Sequence, residues 1–215
     1  MDRRRFSLLL AAFAASGCTP AREEAGEFAD AGVSDPPVSD PPVPPPEERD
    51  LSFIHSRTRE AHTVTYWRDG EYVPEGLDKL DYVLRDDRPG TQAPDGIDPG
   101  LYDFLYHIQQ YVEAQGIKHP VFEIVSAYRT LETNRMLGNS DGSQHVKGTA
   151  IDFRLDGHED KLKMLLEAAH CYGNRGGVGY YPDRRNNFIH IDVGAKRHWQ
   201  YSPQSITCDA LSPEG

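Results

Sequence analysis

The clearest structural signal in this chain lies at residues 143–155, which read SQHVKGTAIDFRL. From Ala150 onward, apolar and polar side chains alternate, which is typical of a β-strand with one buried face. Asp152 therefore points to the face opposite its apolar neighbours. Just before the strand, Gly148 allows a tight backbone turn, which can bring His145 back over Asp152.

A second strand of the same kind is predicted at residues 188–193, FIHIDV. Its apolar residues fall at alternate positions, so His190 and Asp192 lie side by side on the opposite face. If the two strands are neighbours in one sheet, His190 and Asp152 can converge. The two patterns together predict a cluster of polar side chains on one sheet face.

His145, Asp152 and His190 form a candidate metal site. Two imidazoles and one carboxylate are a ligand set of hydrolytic zinc sites, where the fourth position holds a water whose pKa falls towards about 7. Taken separately, His-x6-Asp is common by chance, and His-x-Asp on a strand is more often a surface ion pair. Their combination, with Gly148 and Ala150 at fixed offsets, is more specific and predicts one zinc ion per domain.

The motif Ser143-x-His145-x-x-Gly148-x-Ala150-x-Asp152, followed later by His190, resembles the zinc motif of peptidoglycan-cleaving metallopeptidases. That family includes D-Ala-D-Ala carboxypeptidases and dipeptidases, and it shares a fold with lysostaphin-type enzymes and the hedgehog signalling domain. Further blocks resemble its murein endopeptidase K branch over about residues 51–200. These blocks are Trp67-Arg68-Asp69-Gly70-x-Tyr72, Leu84-Arg85-Asp86-x-Arg88, Ile97-Asp98-Pro99, Ser126-Ala127-Tyr128-Arg129-Thr130 with Asn134, and Gly176-Gly177-Val178-Gly179-Tyr180-Tyr181.

The resemblance implies an α+β fold, in which a small antiparallel sheet flanked by helices carries a single zinc site bound by His145, Asp152 and His190. It implies a zinc-dependent endopeptidase that hydrolyses peptide crosslinks of bacterial peptidoglycan, notably those joining two diaminopimelate residues. Two other functions are alternatives. One is a D,D- or L,D-carboxypeptidase acting on stem peptides, and the other is a non-catalytic, zinc-containing lipoprotein that binds the cell wall.

Arg129 and Asp192 are the candidate catalytic residues. Arg129 matches the arginine that family members direct at a substrate carboxylate or carbonyl oxygen, and its alternative role is a structural salt bridge. The carboxypeptidase relatives place an acidic residue three positions before the last histidine, where this chain has Asn187, which cannot take a proton. Asp192 is the best substitute as general base, because it shares a strand face with His190. Its alternative role is to orient a ligand histidine through a hydrogen bond.

Four further residues are weaker site candidates. Asp183 lies seven positions before His190 in a polar loop and is a second candidate for the general base. Tyr180, Tyr181 and Trp199 are expected to line the substrate groove, although aromatic residues of this kind more often belong to a core.

Periodicity outside the motif predicts four helices and a further strand. Asp98 is the predicted cap of one helix, Pro99 its first residue, and Gly116 its stop. A short β-type run lies at residues 121–125. The predicted helices lie near residues 77–84, 99–115, 131–137 and 161–172.

Composition excludes two classes of protein. The chain has 215 residues, a net charge of −11 and 38% hydrophobic residues. It has no run rich in Lys or Arg, which argues against a nucleic-acid partner, because phosphate neutralisation needs a basic face. Its one apolar run, Leu8 to Ala15, is shorter than the roughly 20 residues that a membrane-spanning helix requires.

Residues 1–18 are predicted to be an export signal, with arginines, a short apolar run and small residues in that order. The segment Arg3-Arg4-x-Phe6-x-Leu8 resembles a twin-arginine signal, and Cys18 after small residues resembles the lipobox of bacterial lipoproteins. The alternatives are ordinary secretion and a soluble product cleaved near Cys18. We expect a location in the periplasm and cell envelope, with membrane contact only through a lipid anchor at Cys18.

Residues 19–50 are predicted to be a disordered linker, since they hold nine acidic residues, eight prolines and neither Leu nor Ile. Residues 51–215 are the predicted zinc metallopeptidase domain, expected to be a monomer that acts on peptidoglycan stem peptides.

With Cys18 acylated, Cys171 and Cys208 remain as an even pair in an oxidising compartment, which predicts a disulfide. The alternative is two unpaired thiols.

Overall fold

The structure is a computed structural model that describes residues 47–172, 176–183, 187–206 and 208. Cys18, the predicted export signal and all of the predicted linker up to residue 46 lie outside the described residues. Within the described ranges, no helix combines the length and the apolar character that crossing a membrane requires.

Eight strands and four α-helices make up the described fold, with two short 3-10 helices at Glu159–Lys161 and Pro203–Ser205. The strands are β1 Glu48–His55, β2 Ala61–Arg68, β3 Glu71–Tyr72, β4 Phe122–Ser126, β5 Ala150–Leu155, β6 Gly177–Tyr181, β7 Phe188–Asp192 and β8 Arg197–Trp199. The α-helices are α1 Pro74–Val83, α2 Pro99–Ala114, α3 Leu131–Met136 and α4 Leu162–Tyr172.

All eight strands form one sheet, in the order β3-β2-β1-β4-β5-β7-β6-β8. The pairs β1/β4 and β6/β8 are parallel, and the other neighbours are antiparallel. The α+β class is therefore confirmed, but the expectation of a small antiparallel sheet is wrong, because the sheet is large and mixed. The long connection through α1 and α2 lets β4 return beside β1 in the same direction.

The four predicted helices are present with ends shifted by a few residues. Asp98 caps α2 and accepts a hydrogen bond from the Gly100 amide at 2.9 Å, as expected for a helix that starts at proline. Strands β1 and β2 were not predicted from the sequence, although Leu51 and Phe53 alternate with polar residues and are buried. Strand β1 begins at Glu48, three residues before the predicted domain boundary.

The helices α2 and α4 pack against each other and against one face of the sheet. That face carries Phe53, Phe122, Phe153 and Ile189, and these side chains are almost fully buried. Because side chains alternate along each strand, the polar residues of β5 and β7 project from the opposite face. The hydrophobic core therefore fixes one face of the sheet and leaves the other for the site.

The C-terminal segment is joined to α4 by a disulfide between Cys171 and Cys208, with Cα atoms 5.3 Å apart. The same two segments also meet at His170, whose Nδ1 lies 3.1 Å from the Tyr201 hydroxyl. The final described residues are thus held against the helix that covers β6 and β7.

Candidate metal centre

Strands β5 and β7 are antiparallel neighbours, and their register sets Asp152 directly opposite His190. The loop before β5 turns at Gly148, whose φ of +68° favours glycine. A Cβ at this position would also lie 2.8 Å from the Gly96 carbonyl oxygen. This turn carries His145 to the same face, so the structure brings the three predicted ligands together.

The three side chains fit one metal ion. His145 Nε2 lies 3.2 Å from His190 Nδ1 and 3.3 Å from Asp152 Oδ1, and His190 Nδ1 lies 2.8 Å from Asp152 Oδ1. In a tetrahedral zinc site with bonds of about 2.0–2.1 Å, ligand atoms are separated by roughly 3.3 Å. All three residues are buried, and their ligand atoms form a group that could hold a metal ion.

The second nitrogen of each imidazole has its own acceptor. His145 Nδ1 lies 2.7 Å from the Ala127 carbonyl oxygen, and His190 Nε2 lies 3.0 Å from Asp192 Oδ2. Because a carbonyl oxygen can only accept, His145 donates from Nδ1 and keeps the lone pair of Nε2. His190 lies between two carboxylates, and when Nε2 donates to Asp192, Nδ1 is the nitrogen that could bind a metal together with Asp152 Oδ1.

Asp192 is fully buried and surrounded by donors. Besides His190, its carboxylate accepts from Arg197 Nη2 at 2.7 Å, the Gly194 amide at 2.8 Å and the Gly177 amide at 3.2 Å. Burial by itself raises the pKa of Asp192, but these hydrogen bonds outweigh it and the pKa is lowered. The carboxylate contacts the edge of the His190 ring opposite the one that faces Asp152.

Arg129 lies just beyond the end of β4 and is braced on two sides. Its Nε donates to Ser126 Oγ at 2.7 Å, and its Nη2 donates to Asp152 Oδ2 at 2.5 Å. Burial alone raises the pKa of Asp152, but interactions with His145 and His190 outweigh it and hold that pKa well below its usual range. Arg129 therefore binds the carboxylate of Asp152 while still bordering the groove described below.

A buried carboxylate outside the predicted site holds the segment that carries Arg129. Asp86 accepts from the Thr130 amide at 2.9 Å and from its hydroxyl at 3.0 Å. Two residues earlier, the Leu84 carbonyl accepts from the Tyr128 amide at 3.0 Å. Two blocks that are far apart in the sequence are thus joined in the fold, and no local pattern predicts that contact.

The three-residue cluster lies in a groove of about 780 Å³. Among the described lining residues, the only carboxylate is Asp152 and the only imidazoles are His145 and His190. The other described lining residues are Arg129, Leu137, Asn139, Gly142, Ser143, Gln144, Tyr181, Phe188, Arg197 and Trp199.

The remaining sequence candidates fall in different places. Tyr181 lines the groove, but Tyr180 does not, because alternation along β6 turns it to the other face, where it packs against the core. Asp183 is exposed and does not line the groove. Asn187 donates to the Glu159 carbonyl oxygen at 3.1 Å.

Arg197 was not predicted as a groove residue, whereas Trp199 was a weak candidate and does line the groove. The Trp199 indole lies across Gly179, where a Cβ would approach its ring to 2.4 Å. Its Nε1 donates to the Tyr181 hydroxyl at 2.7 Å, and its ring centroid lies 5.1 Å from that of His190. A glycine inside a strand marks a close approach of another group, so Gly177 and Gly179 were the available signal.

A buried His/Asp/His cluster on a sheet face, with an arginine on the carboxylate and an open groove above, defines a metallopeptidase-type site. The family model described as peptidoglycan L,D-endopeptidase MepK matches residues 44–199. The chain therefore belongs to this family, which is a family of metallopeptidases.

Individual relatives carry the same description. The peptidoglycan L,D-endopeptidase MepK of Escherichia coli K12 is 38% identical over 159 residues, which cover 72% of this chain and 81% of the relative. The protein of that name in Shigella flexneri has the same identity and coverage. A probable peptidoglycan L,D-endopeptidase MepK of Haemophilus influenzae is 36% identical over 161 residues, with 72% and 81% covered.

Proposed function

We propose that this protein is a zinc-dependent endopeptidase that hydrolyses peptide crosslinks of bacterial peptidoglycan, including those between two diaminopimelate residues. The observation that carries the proposal is the spacing of the ligand atoms of His145, Asp152 and His190, at 2.8 to 3.3 Å, in a member of the MepK family. The relatives are named for L,D-endopeptidase activity on peptidoglycan, and we extend that activity to this chain.

His145, Asp152 and His190 would hold the metal, which would supply Lewis-acid activation of water for attack on an amide carbonyl. Hydrogen bonds to Ala127 and Asp192 fix the ring orientations of His145 and His190, so neither imidazole must reorient when it binds.

Arg129 is proposed to stabilise the carbonyl oxygen of the scissile amide. Two of its nitrogens are held by Ser126 and Asp152, and its side chain borders the groove with 11% exposure. A guanidinium fixed in this way needs no reorganisation when negative charge develops on the oxygen, an effect that is worth roughly 3 kcal/mol for comparable donors.

Asp192 is proposed to orient His190 rather than to act as general base. A base must reach the proton that it removes, whereas this carboxylate lies beyond the His190 ring and accepts from several donors. The role fits the histidine–carboxylate pairs that commonly support a metal ligand.

The proposed place of action is the periplasmic side of the cell envelope, where peptidoglycan lies. Export through the segment 1–18 and a lipid anchor at Cys18 would hold the enzyme at a membrane. The linker up to residue 46 would let the catalytic domain reach crosslinks away from it.

The test uses purified protein and sacculi that contain both kinds of crosslink, with and without a chelator. Released muropeptides are identified by mass spectrometry, and zinc content is measured on the same samples. A His145→Ala variant removes one ligand, and a His158→Ala variant, which changes a histidine outside the groove, serves as the control.

Conversion of crosslinked dimers to monomers by the wild type and the His158→Ala variant, but not by the His145→Ala variant or with chelator, supports the proposal. The type of dimer that disappears identifies the bond. If dimers survive while one zinc ion is bound per protein, the domain binds cell wall without cleaving it and the proposal fails.

A further inference from the structure

We propose that Arg197 binds a free carboxylate of the substrate, the one attached to the carbon that bears the scissile nitrogen. The inference rests on the proposed function and names the part of the crosslink that the enzyme would recognise. It makes Arg197 a specificity-determining residue and separates its role from that of Arg129.

The two arginines of the groove have different surroundings. The side chain of Arg129 is 11% exposed, and its Nε and Nη2 are held by Ser126 and Asp152. The side chain of Arg197 is 41% exposed. Arg197 is therefore the more accessible cation of the two for an anion that enters from solvent.

Arg197 is nevertheless held in place. Its Nη2 donates to Asp192 Oδ2 at 2.7 Å, and its guanidinium lies 5.5 Å from the ring centroid of Trp199. Gly177 makes room for this arrangement, since a Cβ there would lie 3.2 Å from Arg197 Cγ. A guanidinium carries five N–H groups, and among the described residues only Asp192 and the Ala195 carbonyl accept from this one. Further donors thus remain for a planar, bidentate acceptor such as a carboxylate.

Arg197 is also close to the reacting centre. Its Nη2 and His190 Nε2 bond to the same oxygen, Oδ2 of Asp192, so guanidinium and imidazole are neighbours. Both residues line the same groove. An anion bound to Arg197 would therefore lie close to an amide that is bound over His145, Asp152 and His190.

The chemistry of the crosslink supplies such an anion. Each centre of diaminopimelate bears one amino and one carboxyl group on the same carbon. When that amino group forms the crosslink amide, its carboxylate stays free, two bonds from the scissile nitrogen. A charge-assisted bidentate contact at this position would select crosslinks over ordinary internal peptide bonds, which lack a free carboxylate there.

Equilibrium binding tests the inference without requiring turnover. The zinc-loaded full chain is titrated by calorimetry with the stem peptide that leaves as the amine product, once as the free acid and once as the carboxamide at that centre. We expect the wild type to bind the acid about tenfold to a hundredfold more tightly, the range for hydrogen bonds between charged groups.

The key variant is Arg197→Gln, which should bring the ratio of the two affinities, that for the acid over that for the carboxamide, close to one. Arg197→Lys should keep part of this ratio because the charge remains. Arg68→Gln is the matched control, since Arg68 has 49% side-chain exposure and a 2.7 Å ion pair outside the groove. This control should keep the wild-type ratio. Melting temperature and zinc content are recorded for every variant.

The inference is overturned if the wild type binds both peptides equally, or if Arg197→Gln keeps the ratio. It is also overturned if Arg129→Gln removes the ratio and Arg197→Gln does not, because Arg129 would then be the carboxylate receptor. Cleavage of crosslinked dimers is assayed in parallel. A protein that discriminates the two peptides but cleaves neither dimer contradicts the proposed function and leaves the carboxylate site supported.

Discussion

Asp192 Oδ2 lies 3.0 Å from His190 Nε2, while Asp152 Oδ1 lies 2.8 Å from Nδ1 of the same ring. Two carboxylates therefore flank one imidazole at opposite edges, and their roles differ. Asp152 shares its edge with His145 and could bind a metal, whereas Asp192 can accept a hydrogen bond from Nε2 on the far side of the ring.

Replacing Asp192 with Asn should weaken zinc binding more than it weakens catalysis at saturating zinc. The amide can still accept from His190, but it loses the negative charge that raises the basicity of the ring. We expect zinc affinity to fall about 10- to 100-fold, as for other carboxylates that support a metal ligand. Competition with a chelator measures the affinity, and turnover is followed as zinc is raised.

Asp141→Asn is the control for this change, since Asp141 is exposed and pairs with Arg135 outside the groove. Recovery of near-normal turnover by Asp192→Asn at high zinc supports an orienting role. A variant that binds zinc fully but stays inactive would show that Asp192 is the general base after all.

Gly179→Ala should displace Trp199 from its place in the groove. The new Cβ would lie 2.4 to 2.6 Å from three atoms of the indole, so the ring must shift and its hydrogen bond to Tyr181 is lost. We expect a loss of about 1–3 kcal/mol in the free energy of unfolding, the usual cost of overpacking. Urea denaturation followed by tryptophan fluorescence measures it.

A double-variant cycle identifies the cause of that loss. If the indole is the obstacle, Gly179→Ala combined with Trp199→Ala should be less destabilised than the sum of the single variants. Gly142→Ala should change stability by no more than about 0.5 kcal/mol, because its nearest contact would be at an ordinary 3.7 Å. Additivity of the two changes would rule out the steric explanation.

Local periodicity was sufficient to predict β5, β7 and the residues that converge on the sheet face. Both strands alternate strictly, and alternation fixes which side chains share a face without any knowledge of the neighbours. The contact between Asp86 and Thr130 and the parallel return of β4 beside β1 depend on long-range packing, for which the sequence carries no local signal.

The role of Asp192 also could not be decided from the sequence alone. Alternation along β7 places it beside His190, and that placement suits either a base or an orienting residue. The choice depends on which imidazole nitrogen faces Asp152, and this is set by the register between β5 and β7. Only the three-dimensional arrangement distinguishes the two edges of the ring.

Stability should fall as the pH drops below about 6.5, in part because of His55. This residue is 3% exposed, and its Nε2 lies 2.6 Å from the Val83 carbonyl oxygen. Burial lowers the pKa of His55, an effect that the hydrogen bond to Val83 and the charges of Asp87 and Glu60 oppose and that Arg85 adds to. The unfolded chain then binds a proton that the folded chain does not, so stability is complete above the unfolded pKa and is lost below it.

The measurement is the free energy of unfolding in urea between about pH 5 and 7, with zinc in excess for both proteins. A His55→Gln variant should show a shallower decline with falling pH than the wild type. The free energy of unfolding of this variant should still decline with falling pH, because burial also lowers the pKa values of His107 and His170. Equal slopes in the two proteins would mean that His55 charges as readily in the folded state as in the unfolded chain.

The disulfide between Cys171 and Cys208 should stabilise the fold without supporting the cluster of His145, Asp152 and His190. Its ends are 37 residues apart, and closing a loop of that size contributes about 4 kcal/mol at most in the chain-entropy model. The three candidate ligands lie on β5, on β7 and in the loop before β5, and neither cysteine is among the described residues that line the groove. We therefore expect the Cys171→Ser, Cys208→Ser double variant to lose about 2 to 4 kcal/mol in urea denaturation while still binding one zinc ion. Wild type treated with a reductant should unfold like the double variant, whereas unchanged unfolding after complete reduction would show that the covalent link adds nothing to stability.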